Sequence, residues 1–387
     1  MQNISFYKYF FGLPWHIRYL LYLLFILLLK IVWIESFISN SKKDILDRRK
    51  FLLHCIDHGD FKVAHMPSFI DDQFKGEWAI VTSSMTVSAL TNIAFEFPET
   101  KDQSLVAIKK IIQLTIDEQA EFDAIRWREH PLYNLESDNG HIGYLGHLNF
   151  MLGAYRLMGG DTIFNHLHQQ ITSALLRKLN KAPFPYLETY PDEIYTADNM
   201  VVYASIKLFE KIYNTQHKSL FTKWMKYTKE HLLDKHTGIV VTTLDSLGNG
   251  NAISRGSWAG WNSFYLPFID TLFARKQYEN LKENFIADLP FGMKACKEYP
   301  KGLKGKGDID SGPAIFGLSI SGTGFVLAGA KQMHDSSTYH GLLRTAEAAG
   351  SSFSWGKKRQ YLLSPLVGDA IILAMKTACI WDNRFLK

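Results

Sequence analysis

Residues 105–122 read Leu-Val-Ala-Ile-Lys-Lys-Ile-Ile-Gln-Leu-Thr-Ile-Asp-Glu-Gln-Ala-Glu-Phe. Val106, Ile108, Ile111, Ile112 and Leu114 fall on one broad stripe, with Lys109, Lys110 and Gln113 between them. That spacing predicts an amphipathic helix with one face on a core. The same period recurs in Leu148–Met158, Thr162–Leu179, Asn199–Tyr213, Ser219–Leu233, Trp261–Phe273, Tyr278–Ala287, Gly324–Met333, Thr338–Ala349 and Leu366–Ile380. Glycine, proline or asparagine interrupts most of the joins, as at Gly159-Gly160 and Leu247-Gly-Asn-Gly-Asn251. Strand-like alternation is rare, and Gly238–Leu244 is its best short example. About a dozen helices joined by short turns predict an all-α fold of stacked helical hairpins. An open superhelix and a closed ring both satisfy that count. No fixed repeat period of the solenoid kind is present, which favours the ring, an (α/α)6 toroid.

The 387 residues are 47% apolar and 14% aromatic, ample for one large core, and no Pro/Ser-rich linker divides them. Two regions are expected: residues 1–50 as a membrane anchor with its juxtamembrane segment, and residues 51–387 as the helical domain. The 43 basic and 38 acidic side chains nearly balance, which excludes the clustered basic face of a nucleic-acid-binding protein. Cys55, Cys296 and Cys379 are far apart, odd in number and outside any CxxC spacing, so they predict neither a disulfide framework nor a metal knuckle.

Tyr19 to Leu29 is an unbroken apolar run, and Ile31 to Ile34 continue it after Lys30. From Arg18 to Ile38 the stretch approaches the ~20 residues of a spanning helix. It predicts a single-pass transmembrane helix and a membrane location. A cleaved signal peptide fits less well, because Glu35, Ser36 and Phe37 follow instead of a small-residue cleavage site. An interfacial amphipathic helix is the third reading. Lys8 and Arg18 precede the segment while Lys42, Lys43, Arg48, Arg49 and Lys50 follow it, so both orientations stay open, the downstream charges by themselves holding the main domain in the cytoplasm.

Polar and aromatic residues concentrate at four helix mouths. Gly140-His-Ile-Gly-Tyr-Leu-Gly-His-Leu-Asn149 brings two histidines to the start of an apolar helix, with His147 beside a small Gly146 that would let a ligand approach. Imidazole titrates near neutrality and suits proton transfer, while a capping region with a satisfied histidine is the bland alternative. Tyr190-Pro-Asp-Glu-Ile-Tyr-Thr-Ala-Asp-Asn199 holds Asp192, Glu193 and Asp198 between Tyr190 and Tyr195. Asp198 immediately precedes an apolar run. It is either an N-cap or an acid whose pKa a helix N-terminus lowers, which would favour a base or ion-stabilising role. Gly307-Asp-Ile-Asp-Ser-Gly-Pro313 sets Asp308 and Asp310 two apart on a glycine-rich turn, without the EF-hand pattern. Trp258, Trp261, Phe264 and Tyr265 would line a pocket or, at helical spacing, fill the core.

At Gly146-His-Leu-Asn-Phe-Met-Leu-Gly-Ala-Tyr155, followed by Leu157 and Gly160, the sequence resembles the linalool dehydratase/isomerase-like proteins. Trp127, Ile142 and Tyr144 look similarly placed, as do Pro191-Asp192 and Asn199…Val201…Tyr203. Gly307–Ala330 resembles the family's Asp/Gly-rich turn and following helix, so the likeness covers roughly residues 80–335. The resemblance implies an (α/α)6 barrel and acid–base chemistry on a small terpenoid alcohol, with no cofactor and no metal. His147 matches the family's active-site histidine. Thr189 and Asp198 stand where the family has two cysteines, so a thiol-dependent mechanism is not implied.

The expectation is therefore a membrane-tethered lyase or isomerase with a small-molecule substrate, and a homo-oligomer is compatible with it. His147 would shuttle protons, Asp198 would be its acidic partner, and Asp308 and Asp310 would position hydroxyls. Tyr144, Asp192, Glu193, Tyr195, Trp258 and Trp261 would line the substrate site. Two other readings are a glycoside hydrolase or sugar lyase using paired carboxylates, and a membrane-anchored binding scaffold without catalysis.

Overall fold

The structure is a computed structural model that describes residues 12–29, 40–67, 73–250, 253–308, 311–312 and 314–386. Asp310 and the second half of the expected transmembrane segment lie outside the described residues.

The described chain is predominantly helical. It begins with α1 (Trp15–Leu29) and α2 (Lys42–His58), then α3 (Gln73–Glu96), α4 (Lys101–Glu118), α5 (Glu121–Trp127), α6 (Ile142–Leu157) and α7 (Asn165–Lys181). It continues through α8 (Thr196–Tyr213), α9 (Lys218–His231), α10 (Gly256–Ile269) and α11 (Thr271–Phe285) to α12 (Ile320–Gln332), α13 (Ser336–Gly350) and α14 (Leu366–Lys376). Among the described residues three two-stranded antiparallel sheets interrupt the helices: β1 (Ile194–Tyr195) with β2 (Thr243–Leu244), β3 (Ile286–Asp288) with β4 (Lys294–Cys296), and β5 (Ser352–Trp355) with β6 (Lys358–Tyr361). The alternation in Gly238–Leu244 yields only β2, whose register Ile194↔Leu244 and Tyr195↔Thr243 pins the lead-in to α8.

Six helices pack in a cycle. α3 touches α6, α6 touches α8, α8 touches α10, α10 touches α12, α12 touches α14, and α14 returns to α3. The others flank them, with α4 against α3 and α6, α7 against α6 and α8, α11 against α10, and α13 against α12. Sequence explains the division. Every residue of α6 except Arg156 is buried, as expected of a helix enclosed on all sides. α7 instead buries His168, Ile171, Thr172, Ala174, Leu175, Lys178 and Leu179, a single stripe. α4 likewise buries Ala107, Ile108, Ile111 and Ile112, while Val106 from the expected stripe faces solvent.

Small residues set the closest approaches. A Cβ on Gly146 would lie 3.1 Å from Val202 Cγ2, so this glycine serves the contact between α6 and α8. That corrects its expected role of admitting a ligand. A Cβ on Gly140 would lie 1.9 Å from the Glu188 carbonyl oxygen, fixing the start of α6 against the loop that leads to Thr189. Gly140→Ala should therefore lower stability by about 1–3 kcal/mol, the usual range for overpacking. A urea titration that leaves the midpoint unchanged would refute that contact.

Two N-terminal helices behave differently. The large apolar side chains of α1 are exposed, from Trp15 at 73% to Leu27 at 45%. Among the described residues the helix long and apolar enough to cross a membrane is instead Phe74–Glu96, with 89% of its apolar window buried inside the protein. It is a core helix. α2 packs its charged face inward: Asp44, Asp47, Arg48 and Arg49 are all buried. Arg48 and Arg49 are thus withdrawn from the group of basic side chains expected to flank a membrane.

Candidate functional site

The site is assembled where the first turns of α6, α8 and α10 meet the middle of α3. His147 projects from the second turn of α6 and is 2% exposed. Its Nδ1 lies 3.0 Å from Ser84 Oγ on α3, and its ring meets the edge of Trp261 on α10 at 5.9 Å between centroids. Burial lowers its pKa to about 4, so the imidazole is neutral at pH 7. A neutral imidazole can accept a proton.

Asp198 sits in the first turn of α8, where Tyr195, not Asp198, occupies the N-cap position. Asn199 holds the preceding loop, donating to the carbonyls of Leu187 (2.9 Å) and Tyr195 (2.8 Å) and accepting from the Leu187 amide. Asp198 itself accepts a hydrogen bond from Thr189 Oγ1 at 2.9 Å. Its pKa is raised to about 7, first by burial and further by the negative charge of Glu77, with Thr189 opposing. This reverses the expectation from the helix dipole. The dipole is worth a fraction of a kcal/mol to roughly 2, whereas full desolvation of a carboxylate shifts a pKa by several units. Near neutrality Asp198 therefore holds a proton for a substantial fraction of the time, which suits a donor.

Tyr265 of α10 is wholly buried, its ring 5.2 Å from Phe150 and 5.4 Å from Trp261. Burial raises its phenol pKa, Ser84 opposes that rise, and Asp198 adds to it. Ser84 thus connects to His147 on one side and Tyr265 on the other, and Tyr265 feels Asp198. On the far side, Tyr190 donates its hydroxyl to Glu77 Oε1, Arg126 pairs with Glu77 at 3.2 Å, and the Arg126 guanidinium stacks 3.9 Å from the Tyr190 ring. Burial raises the pKa of Glu77. Adjacent hydroxyls, Thr189 and Tyr190, therefore each serve one of two acids. Gly143 permits this: a Cβ there would lie 3.2 Å from Thr189 Cγ2.

The other expected residues are distributed around this shell. Tyr195 stacks on Trp258 with ring centroids 5.3 Å apart and planes 5° from parallel. Asp192 and Glu193 are exposed on a tight turn at the rim, with Asp192 at φ 65° and Glu193 accepting from Tyr195 Oη at 3.0 Å. Asp308 is exposed, bonded to Arg255, and accepts from the Ser311 amide at 2.9 Å. Arg255 continues to the buried Glu298 at 2.6 Å, which also accepts from Ser257 Oγ at 2.8 Å. That set braces the start of α10.

Tyr144 is a correction. It is fully buried and its hydroxyl donates to the Thr115 carbonyl of α4 at 3.0 Å, so it anchors a flanking helix and does not line the site. His141 has a similar structural setting, with Nδ1 2.5 Å from Asp123 Oδ2 ahead of α6. Sequence reading missed Glu77, Ser84 and Arg126, all carried by stretches without a recognisable motif.

A helical body with a buried imidazole and a partly buried acid in one shell defines the class of site on this chain. The sequence pattern of the linalool dehydratase/isomerase family matches residues 131–361, more than half of the chain. The chain belongs to the linalool dehydratase/isomerase family, and that membership points to an enzyme of the lyase/isomerase type. Among solved structures, a family 105 glycoside hydrolase from C. acetobutylicum ATCC 824 aligns over 78% of this chain and 99% of its own, with 13% identity and a TM-score of 0.37. Likeness at that level carries no argument about fold or chemistry.

Proposed function

We propose that this protein is a membrane-anchored, cofactor-independent lyase or isomerase acting on a largely apolar, hydroxyl-bearing small molecule. The single observation behind it is one buried shell, in which Ser84 and Tyr265 connect a neutral His147 to an Asp198 that titrates near neutrality. The cycle of six helices with flanking partners supports reading the body as an (α/α)6 toroid, with inner-helix N-termini around the site.

In the elimination direction Asp198 gives its proton to the substrate hydroxyl. The C–O bond breaks with its electron pair on oxygen, and water leaves. His147 takes a proton from the adjacent carbon, and the C–H electrons form the new double bond. Rehydration at another carbon, with the same groups in reversed roles, gives isomerisation. Carboxyl and imidazole thus replace thiol chemistry at this site. Asp308, engaged by Arg255, supports α10 and has no direct role in the step.

The exposed apolar helix α1 supports the anchor, and the globular body begins with α2 at Lys42. His147→Ala should reduce turnover of linalool by about 10²–10⁴-fold, the usual contribution of a positioned acid or base, with the helical circular dichroism spectrum unchanged. Product formation is followed by gas chromatography. Full activity in a folded His147→Ala protein would end this reading.

A further inference from the structure

Helix α10 carries a second feature along the face it turns to the site. Trp258, Asn262 and Tyr265 are spaced four and three residues apart and share one stripe. Trp258 stacks on Tyr195 ahead of α8, and Tyr265 lies among Phe150 of α6, Ser84 of α3 and the field of Asp198. The stripe therefore runs along the inner side of the cycle. The opposite side of α10 is closed by contact with α12, where a Cβ on Gly260 would lie 2.9 Å from Phe325 Cβ.

Among the described residues, Trp258 Nε1, Asn262 Oδ1 and Tyr265 Oη are buried atoms that close no hydrogen bond of normal geometry. Asn262 is 4% exposed and Tyr265 is fully buried. Buried polar atoms are nearly always paired, and leaving one unpaired costs about 1–3 kcal/mol. Trp258 and Asn262, with the Tyr265 hydroxyl that faces Ser84 further along the stripe, leave polar capacity open to a ligand. They offer a donor, an acceptor and a group that can be either, spread over about 10 Å of helix at ~1.5 Å per residue. The neighbouring surfaces are aromatic, from Phe150 and Trp261.

We infer that the α10 stripe Trp258–Asn262–Tyr265 is a hydrogen-bonding rail for a substrate with an apolar skeleton and at least two separated oxygen groups. One hydroxyl lies at Asp198 for reaction, and a second, several ångströms along the skeleton, is held by Asn262 and a neighbour on the rail. This deepens the proposed function and rests on that placement of the active site. It assigns a diol or similarly oxygenated chain as the substrate class, in preference to a simple monohydroxy alcohol.

The test compares two ten-carbon alcohols with one skeleton, geraniol with a single hydroxyl and 8-hydroxygeraniol with one at each end. Binding to the full-length protein in detergent is measured by calorimetry. The diol should bind about three- to tenfold more tightly, as one or two net hydrogen bonds provide. Asn262→Leu should reduce that advantage while leaving geraniol affinity in place. The free Asn262→Leu protein should melt no lower than the parent, because no protein partner is lost. Equal affinity for the two alcohols, or a diol advantage untouched by Asn262→Leu, overturns the inference, as does a lowered melting temperature in free Asn262→Leu. Should the diol bind through the rail while neither alcohol is turned over, the catalytic reading fails and the rail stands.

Discussion

Replacing Asp198 by Asn is expected to lower turnover by about 10²–10⁴-fold without weakening substrate binding more than a few-fold. Asparagine keeps the volume and can still face Thr189, but it holds no transferable proton. The parent enzyme should show the complementary pH dependence. Its active form carries the proton, so activity should persist on the acid side and decline as pH rises through about 7. His147, with a pKa of about 4, stays neutral across that range and does not produce the decline. Stability should follow the same sign. The folded-state pKa of Asp198 lies above its unfolded value, so between about pH 4 and 7 the native state binds the extra proton and loses stability as pH rises. Asp198→Asn should remove that part of the slope. An unchanged alkaline limb in a still-active Asp198→Asn protein would rule out this residue as the donor.

Lys376→Ala should be the most destabilising single change, by about 3–5 kcal/mol, because it removes a fully buried cation from Asp44 and leaves one carboxylate oxygen of a buried charge cluster without its partner. Lys376 Nζ lies 2.5 Å from Asp44 Oδ2, and both side chains are wholly enclosed. Asp44 Oδ1 also meets Arg48 Nε at 3.0 Å and Arg359 Nε at 2.8 Å, and Arg48 reaches Glu347 at 2.9 Å. Burial alone would raise the pKa of Asp44, but Lys376 and Arg48 outweigh it and hold the carboxyl well below its ordinary range. The cluster joins α2 to α13, β6 and α14. A thermal midpoint roughly 5–10 °C below that of the parent is the expected reading for Lys376→Ala. A shift of under 2 °C (roughly 1 kcal/mol or less) would show that the network contributes little. Asp44→Asn with Lys376→Met should recover part of the loss, since the opposed charges leave together.

Much of the helical content could be read from periodicity, and the reason is visible in which helices were legible. Flanking helices such as α7 and α13 have one buried stripe, so their apolar spacing announces them. α3 escaped notice because its core-facing run, from Thr82 to Ala94, is buried throughout and mixes Ser and Thr with apolar residues. Some of its hydroxyls are satisfied locally, as where Ser88 donates to the Ser84 carbonyl at 2.8 Å and Thr91 to the Val87 carbonyl at 2.8 Å. No alternation remains to be seen. Glu77 and Ser84 were lost with it. α10 was expected to run on to Phe273, but Asp270 ends it by capping α11, accepting from the Phe273 amide at 2.7 Å. In the candidate site, the residue types at His147 and Asp198 were evident, but the direction of the Asp198 shift was not. Nothing in a linear sequence reveals that a carboxyl at a helix start will be enclosed without a cation beside it.

The cycle of six helices bears on how molecules travel. Among the described residues each of the six is shouldered by a neighbour on both sides, so on the proposed function a compound bound for Asp198 would enter between the helix ends. Its passage would then run parallel to the helices, past the paired rings of Tyr195 and Trp258 near the helix starts. The exposed Ile315 and Phe316 lie in the loop entering α12, beside the bracing set of Arg255 and Glu298. Such greasy residues at a threshold let an oily solute shed its water in stages, before it meets the acid.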